Sequence, residues 1–438
     1  MKQKTASATI AVIIIIAAVA VVATGLFLFP FQPSHPPLAN ETGSTPQGAE
    51  NVVDANNQFA FELYNELIKT NDGNIFYSPY SISSALAMTY EGAEGETADE
   101  MKSVFHFPED DVLRPNFAAI YNEINKKGKS YQLSTGNALW VQQDYPFLEE
   151  YITKVETYYG GKAAGVDFVN ELEKSRQTIN SFIEKQTNDK IKDLIPPGIL
   201  SSLTRLVLTN AIYFKGTWEW QFDKSDTRDM DFKITPDNIV KVPMMYMDPE
   251  KATFNYAELE DLQILEMPYK DNEVSMLILL PKQGEEYDFE TDEKHIYNYT
   301  LADIEQDLNA EKLEEYKSQM QETKMDAIYL PKFEFDTKYF MADTLKEMGM
   351  LTAFNKMNAD FSGMTGKKDL FISQVIHQAY VKVDEEGTEA AAATAVLMEL
   401  TAIMPTNVFI ADHPFIFIIQ QKDTGNILFL GKVADPTK

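Results

Sequence analysis

The chain of 438 residues contains no cysteine, which excludes disulfides, cysteine-linked lipids and thiolate metal sites. Its five histidines, His35, His106, His295, His377 and His413, are scattered, and none stands at the spacing of a metal-ligand pair. Basic residues are scarce: 38 Lys and Arg oppose 67 Asp and Glu, giving a net charge of −29 and a pI near 4.5. That balance speaks against a nucleic-acid backbone, an anionic lipid headgroup or a heparin-like cofactor. Its simplest consequence is solubility. Catalytic motifs are also missing. Asp423-Thr424-Gly425 spells an aspartic-protease triplet, but such an enzyme needs a second carboxylate to share the proton, and no second triplet occurs. Gly363–Lys368 lacks the first glycine of a phosphate loop, and there is no Gly-x-Ser-x-Gly elbow. No enzymatic activity, metal or cofactor is expected.

What is present begins with an apolar run from Ala8 to Phe29 behind Lys2 and Lys4. It is long enough to cross a bilayer, and the lysines would keep its N-terminus in the cytoplasm. Residues 1–29 therefore read as a signal anchor holding the rest outside the cell, while Ala18-Val19-Ala20 leaves cleavage and secretion open. Residues 30–51 carry five prolines among small polar residues, a composition that predicts a disordered tether. Asn40-Glu41-Thr42 and Asn298-Tyr299-Thr300 fit the glycosylation pattern. The folded part is placed at 52–438, with 44% hydrophobic and 12% aromatic residues along the chain.

Within it, Phe59, Leu63 and Leu67 mark an amphipathic helix. A short strand before Pro79 leads into a second helix, with Ser81 placed to cap it. Thr97-Ala98-Asp99-Glu100 resembles a capping box. Ser175–Leu194 reads as a helix ended by Ile195-Pro196-Pro197-Gly198. Leu203–Phe214 reads as a strand buried on both faces. Lys241–Met247, Leu262–Met267, Val274–Leu280 and Ile328–Phe335 read as strands, with an acidic helical insert at Asp303–Lys324. Pro414–Gln420 and Ile427–Val433 form a hairpin. No internal repeat is found, and the irregular alternation predicts one large α+β domain.

The stretch that organises the chain follows the strand Val375–Asp384, on which Val375, His377, Ala379, Val381 and Val383 share the apolar face of a half-buried strand. It reads Asp384-Glu385-Glu386-Gly387-Thr388-Glu389-Ala390-Ala391-Ala392-Ala393-Thr394-Ala395-Val396-Leu397-Met398-Glu399-Leu400-Thr401. Alanine favours a helix and is depleted in strands. Written with period 2, however, Thr388, Ala390, Ala392, Thr394, Val396 and Met398 make one uncharged face, with both glutamates on the other. Gly387 supplies a flexible pivot.

Glu385–Ala393 resembles the hinge of a serpin reactive-centre loop. Four further segments are similar to serpin motifs in the same order: Asn74–Met88 with Gly92–Thr97, Leu208–Trp218, Phe409–Ile419 and Phe429–Val433. The resemblance implies a membrane-anchored or secreted prokaryotic-type serpin. Three β-sheets, eight or nine helices and an exposed loop are then expected. It implies irreversible inhibition of serine, or cysteine, proteases: the loop is cut, and the hinge (Glu385, Glu386, Gly387, Thr388, Glu389, Ala390, Ala391, Ala392, Ala393) inserts into a sheet. Ser78, Ser81, Asn210 and His377 match the shutter beneath that sheet, and Trp218 matches the breach where the loop enters. The family's spacing puts the scissile bond at Thr401–Ala402, with Leu400 and Ile403 as alternatives. No Lys or Arg lies between Val383 and Gln421, which points to elastase-, subtilisin- or chymotrypsin-like targets. The rival expectation is a non-inhibitory, chaperone-like or binding protein on the cell surface, and in either case a monomer.

Overall fold

Thr45 and Pro46 start the first helix. In this computed structural model, which describes residues 38–126, 128–135, 138–161, 163–248, 252–288, 293–388 and 407–438, helix α1 spans Pro46–Ile68. Thr45 Oγ1 accepts from Gly48 N at 3.0 Å, and proline occupies the first turn, where its missing N–H is not needed. The disordered tether expected to residue 51 is therefore corrected: its end is helix, and residues 39–45 are pinned to the body. Ala39 exchanges two hydrogen bonds with the Asn122 amide at 2.8 and 2.9 Å, and Asn40 N donates to Thr157 O at 2.6 Å. Prolines counted as loop composition include one that serves as a helix start. The apolar run 8–29 lies outside the described residues, as do Glu389–Ala393, Thr401 and Ala402. Among the described residues no helix is long and apolar enough to cross a membrane.

The other helices are α2 (Pro79–Tyr90), α3 (Gly95–Val104), α4 (Asp110–Ile124), α5 (Glu149–Tyr159), α6 (Leu172–Gln186), α7 (Leu301–Glu305), α8 (Ala310–Ser318), α9 (Ala342–Glu347) and α10 (Ser362–Thr365). That makes ten among the described residues, against eight or nine expected, the excess being single-turn pieces. Strands are numbered along the chain. The rear sheet runs β1 (Ile75–Tyr77), β20 (Ile427–Val433), β19 (Phe415–Gln421), β10 (Val274–Pro281), β9 (Leu262–Pro268), β8 (Phe254–Glu258), β13 (Gln321–Thr323). A four-stranded sheet runs β18 (Val408–Ile410), β14 (Ala327–Pro331), β7 (Asn238–Met247), β6 (Arg228–Thr235). The front sheet runs β15 (Phe333–Phe340), β16 (Val375–Asp384), β17 (Gly387–Thr388), β5 (Leu206–Thr217), β3 (Ala138–Gln142), β4 (Ala163–Val166), with β2 (Gln132–Thr135) also on β5. A ribbon of β11 (Gln283–Asp288) and β12 (Glu293–Asn298) stands apart.

The front and rear sheets share one core, in which Phe76 stacks on Phe429 at 5.1 Å and on Phe417 at 5.6 Å. A second apolar cluster covers the front sheet's other face. Ile179 and Ile183 of α6, with Ile191 and Leu194 beyond it, pack among Trp140, Tyr213, Ile376 and Tyr380. Strand β16 is thus buried on both faces, not half-buried as its alternation suggested, because α6 lies over it.

Several boundaries differ from expectation for local reasons. Ser78 caps α2, its Oγ accepting from Ser81 N at 3.1 Å, so Ser81 sits in the first turn. Thr97 lies inside α3 and accepts from Asp360 N at 2.9 Å instead of capping. Helix α6 stops at Gln186, where Asn188 and Asp189 take left-handed φ values of 50° and 60°, a conformation their short polar side chains tolerate. The acidic insert contains α7, α8 and the edge strand β13, and Ile328–Phe335 divides into β14 and β15 of different sheets.

The pinned N-terminal segment yields a prediction. A chain starting at residue 52 loses the cap and first turn of α1 and strips Asn116 Oδ1 of the Thr45 N–H that it accepts at 2.8 Å. Thermal unfolding should show its midpoint about 5 °C below that of a chain starting at residue 38.

Candidate functional site at the parting line of the front sheet

Two strands of the front sheet, β16 and β5, run parallel and pair directly over Val375–Tyr380 and Leu208–Tyr213. Beyond these residues they diverge, and the two-residue strand β17 sits between them, antiparallel to both. Thr388 is opposite Val383 on one side and Gly216 on the other. Thr388 is therefore strand, which decides its own part of the helix-or-strand alternative. Its side chain is buried, and its hydroxyl is 2.7 Å from Tyr269 Oη. Gly387 has φ +151°, and a Cβ there would lie 2.0 Å from Gly216 O and 2.8 Å from Thr217 Cα. Glycine is required here by close approach, a stronger constraint than the pivot inferred from sequence.

The three acids before Gly387 are all buried. Lys332 Nζ holds Glu385 at 2.9 and 2.7 Å, and Thr227 Oγ1 donates to the same carboxylate at 2.8 Å. Burial alone would raise the Glu385 carboxyl, but these partners outweigh it and hold it below the ordinary value. Glu386 pairs with Lys224. Asp384 accepts from Glu386 N at 3.0 Å, yet burial still raises its carboxyl.

Trp218 closes this end of the line. Its indole stacks on Tyr269 at 4.5 Å, its Nε1 donates to Asp384 O at 3.1 Å, and its backbone N donates to Glu386 O at 2.9 Å. Sequence reasoning found Trp218 and the acids but missed Tyr269, Lys332, Lys224 and Thr227. No local pattern marks those four, because they reach the hinge from three separate places: Lys224 and Thr227 from the β5–β6 loop, Tyr269 from just after β9, and Lys332 from between β14 and β15.

Farther along the line the structure brings Ser78, Ser81, Asn210 and His377 together. His377 and Asn210 are register partners across β16 and β5, and His377 Nδ1 bonds Asn210 Oδ1. His377 Nε2 accepts from Ser78 N at 3.1 Å. Asn210 Nδ2 reaches Ser81 Oγ at 2.8 Å and the Ser81 carbonyl. Both ring nitrogens are thus used by the neutral tautomer with its proton on Nδ1. Complete burial pushes His377 down to about 3. The cluster ties both strands to the start of α2, so parting them must break it.

The comparisons fit this geometry. The family model described as serpin (serine protease inhibitor) matches residues 54–436. Leukocyte elastase inhibitor A of Rattus norvegicus is 41% identical over 391 residues, covering 88% of this chain and all of the relative. An uncharacterized serpin-like protein of Methanosarcina mazei is 43% identical, covering 88% of this chain and 87% of the relative. The crystal structure of uncleaved ovalbumin superposes with a TM-score of 0.76 at 32% identity, over 88% of this chain and all of ovalbumin. With the serpin fold, three large sheets and a family match across nearly all of the folded part, the chain belongs to the serpins, the family of serine protease inhibitors.

Proposed function

We propose that this serpin is a suicide inhibitor whose hinge, once the loop is cut, continues β17 down the line between β16 and β5. The supporting observation is β17 itself, a short antiparallel strand wedged at the top of a parallel ladder. Continuing it would replace one parallel ladder by two antiparallel ones, which pair slightly better per residue. The two registers of β17 extend in step: both would bring Val396 level with Val375 and Leu208, the far end of the present ladder. On the way Thr394 would come between His377 and Asn210, offering a hydroxyl to the two groups it separates.

The chemistry belongs to the attacking protease. Its nucleophile adds to the scissile carbonyl, the C–N bond breaks, and the new amine leaves with a proton, giving an acyl-enzyme. Insertion would then carry the acylated enzyme away before water completes hydrolysis. Thr401–Ala402 is the proposed bond, with elastase-, subtilisin- or chymotrypsin-like enzymes as targets. The uncharged stretch around that bond favours them, and a relative named as an elastase inhibitor agrees. The apolar run 8–29 supports placement outside the cell, anchored or released.

The deciding experiment mixes the chain with elastase, subtilisin and chymotrypsin in turn. The expected outcome is a complex that survives SDS and a released peptide beginning at Ala402. Clean cleavage by all three, giving a product no more heat-stable than the intact chain, would show that the loop does not insert and would leave a non-inhibitory surface protein as the reading.

Two variants probe the line itself. Thr388→Arg forces a charge into a buried strand position, so inhibitor consumed per protease trapped should rise about tenfold or more as the loop becomes substrate; an unchanged stoichiometry would show that inhibition does not need residue 388 in the sheet. For His377, a folded value near 3 against 6.5 unfolded means that the unfolded chain binds the extra proton. Stability should therefore fall as pH drops from 6.5 toward 3. Thermal midpoints of His377→Gln across that window should fall less steeply than wild type.

A further inference from the structure

We infer that the chain holds a single-water binding site between α1, α2 and the turn that joins β19 to β20. A cavity of about 10 Å³ lies there, lined by Asn56, Tyr80, Ser83 and Asn426 among apolar walls that include Phe107 and Phe117. Three buried atoms of that lining, Asn56 Oδ1, Tyr80 Oη and Ser83 Oγ, have no hydrogen-bond partner among the described residues, and their residues are 6%, 5% and 3% exposed.

The neighbouring polar groups are engaged elsewhere. Asn56 Nδ2 donates to Ile427 O at 2.9 Å and Asn426 Oδ1 at 3.0 Å, Asn426 Nδ2 donates to Gln421 Oε1 at 2.9 Å, and Ser84 Oγ donates to Tyr80 O at 2.7 Å. What remains is one obligate acceptor and two hydroxyls. Unpaired, each such group is costly to bury.

The space fits about one water, and three partners match the usual coordination of a buried one. Among the described residues no charged side chain lines the cavity, so the ligand is neutral and must both donate and accept. Water donating to Asn56 Oδ1 and one hydroxyl, and accepting from the other, satisfies all three atoms. The site sits on α2 behind the turn that carries Ser78 and Ser81. Its partners would fasten α2 to α1 and to the β19–β20 turn while the front sheet parts.

The test turns on a sign. If the cavity is dry, Tyr80→Phe removes an unpaired buried hydroxyl and should raise the thermal midpoint. If water is held, the same change, and likewise Ser83→Ala, robs it of a partner and should lower the midpoint by about 1–3 °C. The double variant should lose less than the sum of the two, since both changes act on one ligand. A crystal structure of the full chain should show one solvent peak within hydrogen-bonding distance of at least two of the three atoms. A midpoint unchanged or raised in Tyr80→Phe, strictly additive losses, or no such peak would each overturn the site.

Discussion

The structure depends on one ladder, the direct parallel pairing of β16 with β5. Six register pairs hold it, and every feature of the site either keeps it shut or begins to open it. Beneath it, the His377–Asn210 bond and its links to Ser78 and Ser81 close the line with groups that have no access to water. Such groups are well behaved only while paired. The same chemistry that holds the strands together therefore sets a barrier to separating them, and the barrier falls if a new hydroxyl arrives as the old bond breaks.

At the other end the hinge is held as a wedge. Lys332 and Lys224 come from outside the hinge to fix Glu385 and Glu386, and Trp218 binds the backbone on either side of Glu385. With the backbone so constrained, Gly387 can approach Gly216 more closely than any side chain would permit. Gly387 and Thr388 thus already lie within the front sheet, and the entropic cost of ordering them is met by buried ion pairs and hydrogen bonds.

Much of this was legible in the residues. Val375–Asp384 forms a strand with the bounds its alternation gave, and the C-terminal hairpin lies where its turn residues put it. The four polar residues of the cluster were identifiable through the serpin resemblance, and His377 also stood out as a polar side chain on the apolar face of its strand. Long-range partners were not legible. Tyr269 and Lys332 meet the hinge only through sheet topology, and α1 was cut short because composition outweighed the cap at Thr45 and Pro46. Burial of β16 on both faces was hidden too, since alternation reports one apolar face and says nothing of a helix laid across the other.

That second covered face changes how the alanines are understood. In a strand continuing β17, the uncharged Ala390, Ala392 and Thr394 would share the face of the buried Thr388. A strand continuing β17 in register would, on its opposite side, set Ala391 level with Tyr213 and Tyr380, whose rings lie 6.3 Å apart under α6. A large side chain there would have to displace the aromatic pair or the helix above it. Glu389, two residues earlier, would align instead with half-buried Lys215 and Lys382, where a carboxylate meets opposite charge. A run of small residues bounded by an acid is therefore what insertion between two buried faces would require, where a strand with only one covered face would ask it of alternate residues alone.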